Sequence, residues 1–495
     1  MKEEMRTHLL GSSENGKQKQ KQLIHGRWEQ QEGAEQQEGA DEKCPIDASS
    51  SSVTLTLVVT VFISVLGSFT FGFAVGYTSP VQSEIMEELG LSTAEYSLFG
   101  SILNIGGAAG ALVCGKITDY LGRRRALQFA DIFYILGWFA MAMAQGPWVL
   151  YLGRCMVGFG MTIVGYAAPV YIAEFTPKKL RGGFVLLHVL MVTSGSSIVF
   201  LIGLVTSWRT LSLIGIIPSL LQMVGLFFVP ESPRWLMMVG QDEEFTAALQ
   251  RVRGASTDIS QEAADIKGSA EALQQMSKVS FMQLFQRKYA YVLIVGIGTA
   301  VLSALVGYNG IVFYARSIFE SAGFSGRVGT VVLAVVQLPS VVLGVTLLDS
   351  FGRLPLLMIS AAGLCLGCLL AGFSFLLQDN HLLKGIGPYF ALAGLLLYVV
   401  AYPAGVGGTW CVINSEIYPI NIKGLAGSFG AVMVCVSSWA VSYAFNFLMG
   451  WSSSGTFFMF AGICAFTLLF AAKLVPETKG RTLEEVHKSI AHIWQ

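Results

Sequence analysis

The side chains that could do chemistry in this chain are acids and bases at fixed spacing, and that chemistry is reversible charge pairing. Asp119 stands four residues before Arg123, with Arg124 and Arg125 following, at the end of a long apolar run; Asp349 stands four residues before Arg353 in the same setting. Glu174 lies seven residues before Arg181, and Glu416 lies seven before Lys423. Pro230-Glu231-Ser232-Pro233-Arg234 and Pro476-Glu477-Thr478-Lys479-Gly480-Arg481 form a third pair of copies. Ionised groups inside an apolar core must be paired or wet, and short turns between membrane helices let them be either. One copy alone reads as helix-end capping. Two copies read as a set of salt bridges between two halves, closing one face and breaking when it opens. Nothing here suggests catalysis: six His are scattered, with no nucleophile–base or metal-ligating constellation, so neither enzyme activity, cofactor nor metal is expected.

The elements that carry these groups are apolar. The chain has 495 residues, 53% hydrophobic and 13% charged, where a soluble chain carries about a quarter charged residues. The charges are segregated along it, and no nucleic-acid partner is expected. Runs of roughly twenty residues, enough to cross a bilayer, lie near 53–77, 96–118, 126–144, 148–173, 184–206 and 211–229. Six more lie near 289–314, 328–348, 356–377, 389–413, 425–448 and 456–474. The expected fold is an all-α membrane protein of twelve transmembrane helices in two six-helix halves, with a cytosolic helical domain between them.

The expected parts are a disordered N-terminal tail (1–52), an N-terminal half (53–229), a helical linker domain (230–288), a C-terminal half (289–475) and a C-terminal tail (476–495). Lys and Arg concentrate in alternate loops, which places both tails and the linker in the cytosol. Residues 1–52 are polar and repetitive, cannot bury enough surface to fold, and lack a signal-peptide core. Within them Leu9-Leu10 reads equally as a sorting signal or a chance pair. Seven of the eight Cys fall in the apolar runs; Cys365 and Cys368 share a helical face and read as packing residues. Asp131 is the one acid well inside a span, and a structural pair with the nearby Arg cluster is expected.

From about residue 53 to 487 the chain resembles the sugar-porter branch of the major facilitator superfamily. The resemblance rests on Gly115…Gly122-Arg123-Arg124, Pro169-Val170-Tyr171-Ile172-Ala173-Glu174, 230–236 and 476–481. Stretches 97–110, 262–266 and 443–448 are similar to plant early-responsive-to-dehydration-like monosaccharide transporters. The resemblance implies alternating access to one sugar site between the halves, in the vacuolar membrane, with the plasma membrane as the alternative.

The sugar positions of the family are only partly kept. Asn309 is retained and Gln337 fits the subfamily. Val189 follows His188 where the family has Gln, Ser303 and Ala304 replace a Gln-Gln pair, Trp410-Cys411 replaces Pro-Trp, and Val434-Cys435 replaces Asn-Trp. Each lost partner for a buried hydroxyl costs about 1–3 kcal/mol. Tyr308, Tyr314, Trp410, His188 and Asn414 are expected to rebuild the pocket beside Asn309 and Gln337. The expected gating set is Asp119, Arg123, Arg124, Arg154, Glu174, Arg181, Glu231, Asp349, Arg353, Glu416 and Lys423. Proton-coupled relatives carry an Asp where this chain has Thr78, which cannot titrate, so facilitated diffusion of a hexose is expected. A proton-coupled carrier, a carrier of a less polar solute or glycoside, and a non-transporting receptor are the alternatives.

Overall fold

In a bilayer every backbone polar group must be satisfied within its own segment, so apolar runs of this length form helices. The computed structural model describes residues 54–177, 180–255, 257–275, 281–378 and 385–479, and no strand occurs among them. The expectations for residues 1–52, Leu9 and Leu10 among them, and for the tail beyond 479 lie outside the described residues.

The first set of helices is α1 (Leu55–Gly76), α2 (Thr78–Leu89), α3 (Thr93–Leu121), α4 (Arg123–Ala142), α5 (Pro147–Phe175), α6 (Arg181–Ile202) and α7 (Trp208–Gly225). A linker follows with α8 (Pro233–Val239), α9 (Asp242–Arg253), α10 (Ser260–Gln275) and α11 (Phe281–Leu284). The second set is α12 (Ala290–Leu305), α13 (Tyr308–Phe313), α14 (Ala315–Ser321), α15 (Gly326–Phe351), α16 (Arg353–Gln378), α17 (Gly387–Ala404), α18 (Val406–Ile417), α19 (Ile420–Trp451) and α20 (Ser453–Leu474). Among the described residues, nine helical stretches are long and apolar enough to cross a membrane. The other three expected spans correspond to α4, α6 and α7. Their apolar stretches are interrupted or short: α4 opens on three Arg and carries Asp131, the apolar part of α6 is Leu186–Ile202, and α7 has 18 residues including Arg209.

Both sets pack by one scheme. In the first, α5 packs on α3 and α4, α1 on α6, and α4 on α7. In the second, α17 packs on α15 and α16, α12 on α19, and α16 on α20. Close approach rests on matched glycines. A Cβ on Gly137 or Gly153 would come within 2.7 or 2.6 Å of the other's carbonyl oxygen across α4 and α5. Gly367 and Gly394 repeat this across α16 and α17 at 2.8 and 2.6 Å. Without lipid-excluded hydrophobic force, such backbone contact is what holds membrane helices together. The two sets meet along two seams, α3 against α19 and α6 against α15.

Two spans are broken where the sequence predicts continuous helix. Gly307, at φ +104°, separates α12 from α13, and Pro403 and Gly405 separate α17 from α18. Pro removes a donor and Gly supplies the permissive backbone. The linker has a small apolar core of its own around Trp235, Leu236, Phe245 and Leu249.

Candidate functional site: charge networks, seam and enclosed arginine

The loops α3–α4 and α15–α16 mark the charged end of the molecule. Gly122 ends α3 at φ +91°, ψ 168°, and Gly352 ends α15 at φ +94°, ψ 169°, a region open only to glycine. The reversal exposes the first N–H groups of the following helix, and a carboxylate caps them. Glu231 Oε1 accepts from the N–H groups of Arg123, Arg124 and Ser232 at 3.0, 3.0 and 2.9 Å. Glu477 accepts from those of Arg353 and Leu354 at 3.2 and 3.0 Å. Burial pushes the Glu231 carboxyl above its ordinary range, against the pull of these N–H groups and of Arg124.

The arginine so placed turns inward. Arg123 donates through Nε and Nη2 to Glu174 at 2.9 and 3.0 Å, and through Nη1 to the Thr118 carbonyl and to Asp119. Arg353 donates through Nη2 and Nε to Glu416 at 2.9 and 3.2 Å. Ser232 donates to Glu174, and Thr478 donates to Glu416 at 2.5 Å. Arg124 bonds the Val229 carbonyl at 3.0 Å.

Among the described side chains, each Arg–carboxylate ion pair joins helices of one set, and the Pro-Glu segment that follows that set caps it. Among the described side chains, the salt bridges predicted between the halves do not form, and two parallel networks, one per half, stand in their place. Acid-to-base spacing along the chain is silent on which helices pack together, and packing chose the partners. Lys423 is exposed with no side-chain partner among the described residues, and the side chains of Arg181 and Asp349 lie outside them. The linker grips the first network: Arg253 donates to the Phe175 carbonyl at 2.8 Å and pairs with Glu262 at 2.6 Å.

The two sets are tied to each other further along the helices, away from the charged end. Ser196 and Ser197 on α6 donate to Gln337 Oε1 on α15 at 3.1 and 3.4 Å, leaving Gln337 Nε2 without a partner. Asn104 bonds Ser442 at 3.1 Å and Asn446 bonds Ser97 at 2.9 Å, both across α3 and α19. At the opposite end, Ser317 donates to Gln82 at 2.7 Å, and the N–H of Arg316 donates to Ser79 at 3.1 Å.

Of the predicted sugar contacts, His188 Nδ1 lies 2.7 Å from Ser68 Oγ, and Tyr308 stacks on Tyr402 with centroids 3.8 Å apart. Asn309 and Trp410 are half-buried; Asn414 is buried with both amide atoms unpartnered. Val189 is exposed on α6, and Ser303 spends its hydroxyl on the Ala300 carbonyl, so neither replaces a glutamine amide. Tyr314 departs from expectation. It is 1% exposed, packs on Tyr96 and Phe445, and donates to the Ser442 carbonyl, so it closes the seam rather than lining a pocket.

Arg154 and Asp131 also depart from expectation. Arg154 is fully enclosed near the start of α5, away from the charged loops. Its Nη2 donates to Thr78 Oγ1 at 2.5 Å, and it lies over the Tyr77 and Phe99 rings at 5.7 and 5.2 Å. Desolvating a cation costs several kcal/mol, and two ring faces return about 1–2 kcal/mol each at best. Asp131 is fully buried with both oxygens unpartnered, so the predicted pair with the Arg cluster does not form. Arg125, six residues earlier, points off another face of the same helix.

An all-helical protein with two equivalently packed helix sets, membrane-length helices and duplicated charged turns is a multi-pass membrane carrier of the major facilitator fold. The family model "Sugar (and other) transporter" matches residues 20–489. Sugar transporter ERD6-like 16 of Arabidopsis thaliana is 47% identical over 451 residues, covering 91% of this chain and 93% of that protein. ERD6-like 11 of the same plant is 44% identical over 444 residues, covering 90% and 95%. Among solved structures, the inward-open xylose transporter XylE of E. coli matches with a TM-score of 0.75 at 24% identity, covering 88% of this chain and 99% of that one. The proton:xylose symporter XylE bound to a bromodeoxyglucose matches with 0.73 at 24%, covering 90% and 100%. The chain belongs to the sugar (and other) transporter family, a family of carriers and not of enzymes.

Proposed function

We propose that the protein carries a monosaccharide across a membrane by alternating access and facilitated diffusion. Family membership over nearly the whole chain supports the cargo class. The observation that carries the mode is the Thr78–Arg154 contact: the side chain that meets the enclosed guanidinium on α2 is a hydroxyl, which cannot cycle a proton.

In this reading the charged end is cytosolic, as are both termini and the linker, with the parts divided at 52, 229, 288 and 475. The inter-set bonds away from that end fit a conformation closed on the non-cytosolic side. Asn309, Gln337, His188, Tyr308, Trp410 and Asn414 contact the sugar, and the two charge networks hold each half rigid as it rocks. The membrane is the vacuolar one, with Leu9 and Leu10 available to sorting machinery.

Flux of labelled glucose or fructose into proteoliposomes, with and without an imposed pH gradient, tests this. Uptake that ignores the gradient and falls with Asn309→Ala is expected. Gradient-driven accumulation sinks the facilitator reading. Flux that appears only in Val189→Gln, Ser303→Gln, Ala304→Gln sinks the monosaccharide reading and points to a less polar cargo.

A further inference from the structure

Arg154 carries a full positive charge at 0% exposure, yet its bonded partner is a neutral hydroxyl, and its Nε and Nη1 are unpartnered. No carboxylate among the described residues pairs with it. The phenol protons around it are spent elsewhere and none of these oxygens accepts from the guanidinium: Tyr96 Oη donates to the Thr78 carbonyl, Tyr77 Oη bonds the Trp208 carbonyl and Ser212, and Tyr314 Oη donates to the Ser442 carbonyl. The Tyr77 and Phe99 rings offer quadrupoles and no formal charge. A guanidinium enclosed in this way calls for a counter-charge.

We propose that Arg154 is the seat of a small monovalent inorganic anion, of chloride size, held through Nε and Nη1 beside Thr78. The site's single charge sets the valence, and its enclosure sets the size. At Gly100 an added Cβ would lie 2.9 Å from Tyr314 Oη and 3.3 Å from Thr78 Cγ2, so Tyr314 closes against Thr78 beside the guanidinium. Access follows from which set each wall belongs to. Thr78, Tyr77, Phe99 and Tyr96 stand with Arg154 in the first helix set, whereas Tyr314 comes from the second. Parting of the sets at this end removes Tyr314 and admits the anion; closing encloses it. Anion binding thus favours one stage of the transport cycle.

The test uses the purified full-length protein. Its thermal midpoint in detergent is followed by tryptophan fluorescence in sodium chloride and in sodium gluconate at equal ionic strength. A saturable rise of several degrees in chloride is expected for the wild type. Thr78→Asp should match the chloride-bound midpoint in gluconate and ignore chloride, because a fixed carboxylate takes the anion's place. Arg154→Gln should lose the response; if it fails to fold, Thr78→Asp decides. A wild-type midpoint indifferent to chloride, or a Thr78→Asp protein still responding like wild type, overturns the site. In proteoliposomes, hexose flux should fall roughly tenfold when gluconate replaces chloride. This arm rests on the carrier reading, so absence of flux in both salts counts against that reading alone, and the melting experiment still decides the anion.

Discussion

The two charge networks share a plan but not a depth. Arg123 and Glu174 leave 7% and 13% of their side chains exposed, whereas Arg353 and Glu416 leave 21% and 28%. Arg123 has extra acceptors in Thr118 and Asp119, and Trp235 of the linker donates to the Asp119 carbonyl at 2.8 Å. Among the described residues no linker side chain bonds the second network, and the side chain of Asp349, the counterpart of Asp119, lies outside them. Lys479 reaches the Ser350 carbonyl at 2.9 Å, but from an exposed position. Among the described residues, duplication therefore preserved the bond pattern while the linker covers the first copy and not the second. Ion pairs gain strength from low dielectric and are costly to break once buried. The first network should act as a fixed clamp and the second as the looser of the two.

The largest break in the comparison comes from removing the arginine. Arg123→Leu leaves Glu174 buried opposite an apolar chain and should cost about 3–5 kcal/mol. Arg353→Leu leaves a better-hydrated Glu416 and should cost about 1–2 kcal/mol. Thermal midpoints of the two purified variants in detergent check the order, and equal losses would remove the distinction. The turn glycines come next. A Cβ at Gly122 would lie 2.5 Å from Glu231 Oε2, and one at Gly352 would lie 3.1 Å from Glu477 Oε2. Both alanine variants carry backbone strain of about 1–3 kcal/mol. Gly122→Ala must also displace its cap, so it should melt lower than Gly352→Ala.

A smaller effect separates the hydroxyls. Ser232 both donates to Glu174 and accepts from the Trp235 N–H as the cap of α8. Ser232→Ala should cost about 1–2 kcal/mol. Thr478 gives Glu416 one bond, and Thr478→Ala should cost about 1 kcal/mol. Hydrogen exchange at the start of α8 sharpens this, because only Ser232→Ala should release it.

The helices, the two sets and the family were legible because bilayer length and repeated charged turns leave marks in the sequence itself. The partners of the charges were not. Asp119, Glu174 and Arg123 are each visible as a charge near a helix end, but whether Glu174 meets Arg123 or a residue of the other half depends on interhelix contacts. Arg154 could have been placed better. Pro147 starts its helix on the weakly charged side, and seven residues at 1.5 Å each leave Arg154 only about 10 Å from that end. Ser232 and Thr478 also carried a signal, since each follows the repeated Pro-Glu. The breaks at Gly307 and Gly405 were hidden because many glycines in these spans serve close packing instead.

Glu231→Gln should give the smallest effect and sharpen the comparison through its pH dependence. Burial raises the Glu231 carboxyl above its ordinary value of 4.5, so the native state holds this proton more tightly than the unfolded chain does. A group of this sign contributes stability below the unfolded value, and that contribution is lost as pH rises through the native value. Glutamine keeps an oxygen facing the N–H groups of Arg123, Arg124 and Ser232 and carries no charge to desolvate. The variant's midpoint, compared with wild type, should therefore improve as pH is raised from about 4 toward 7. A difference that stays flat or reverses over that range would mean that the three N–H bonds and Arg124 outweigh burial, and that Glu231 is an ordinary charged cap.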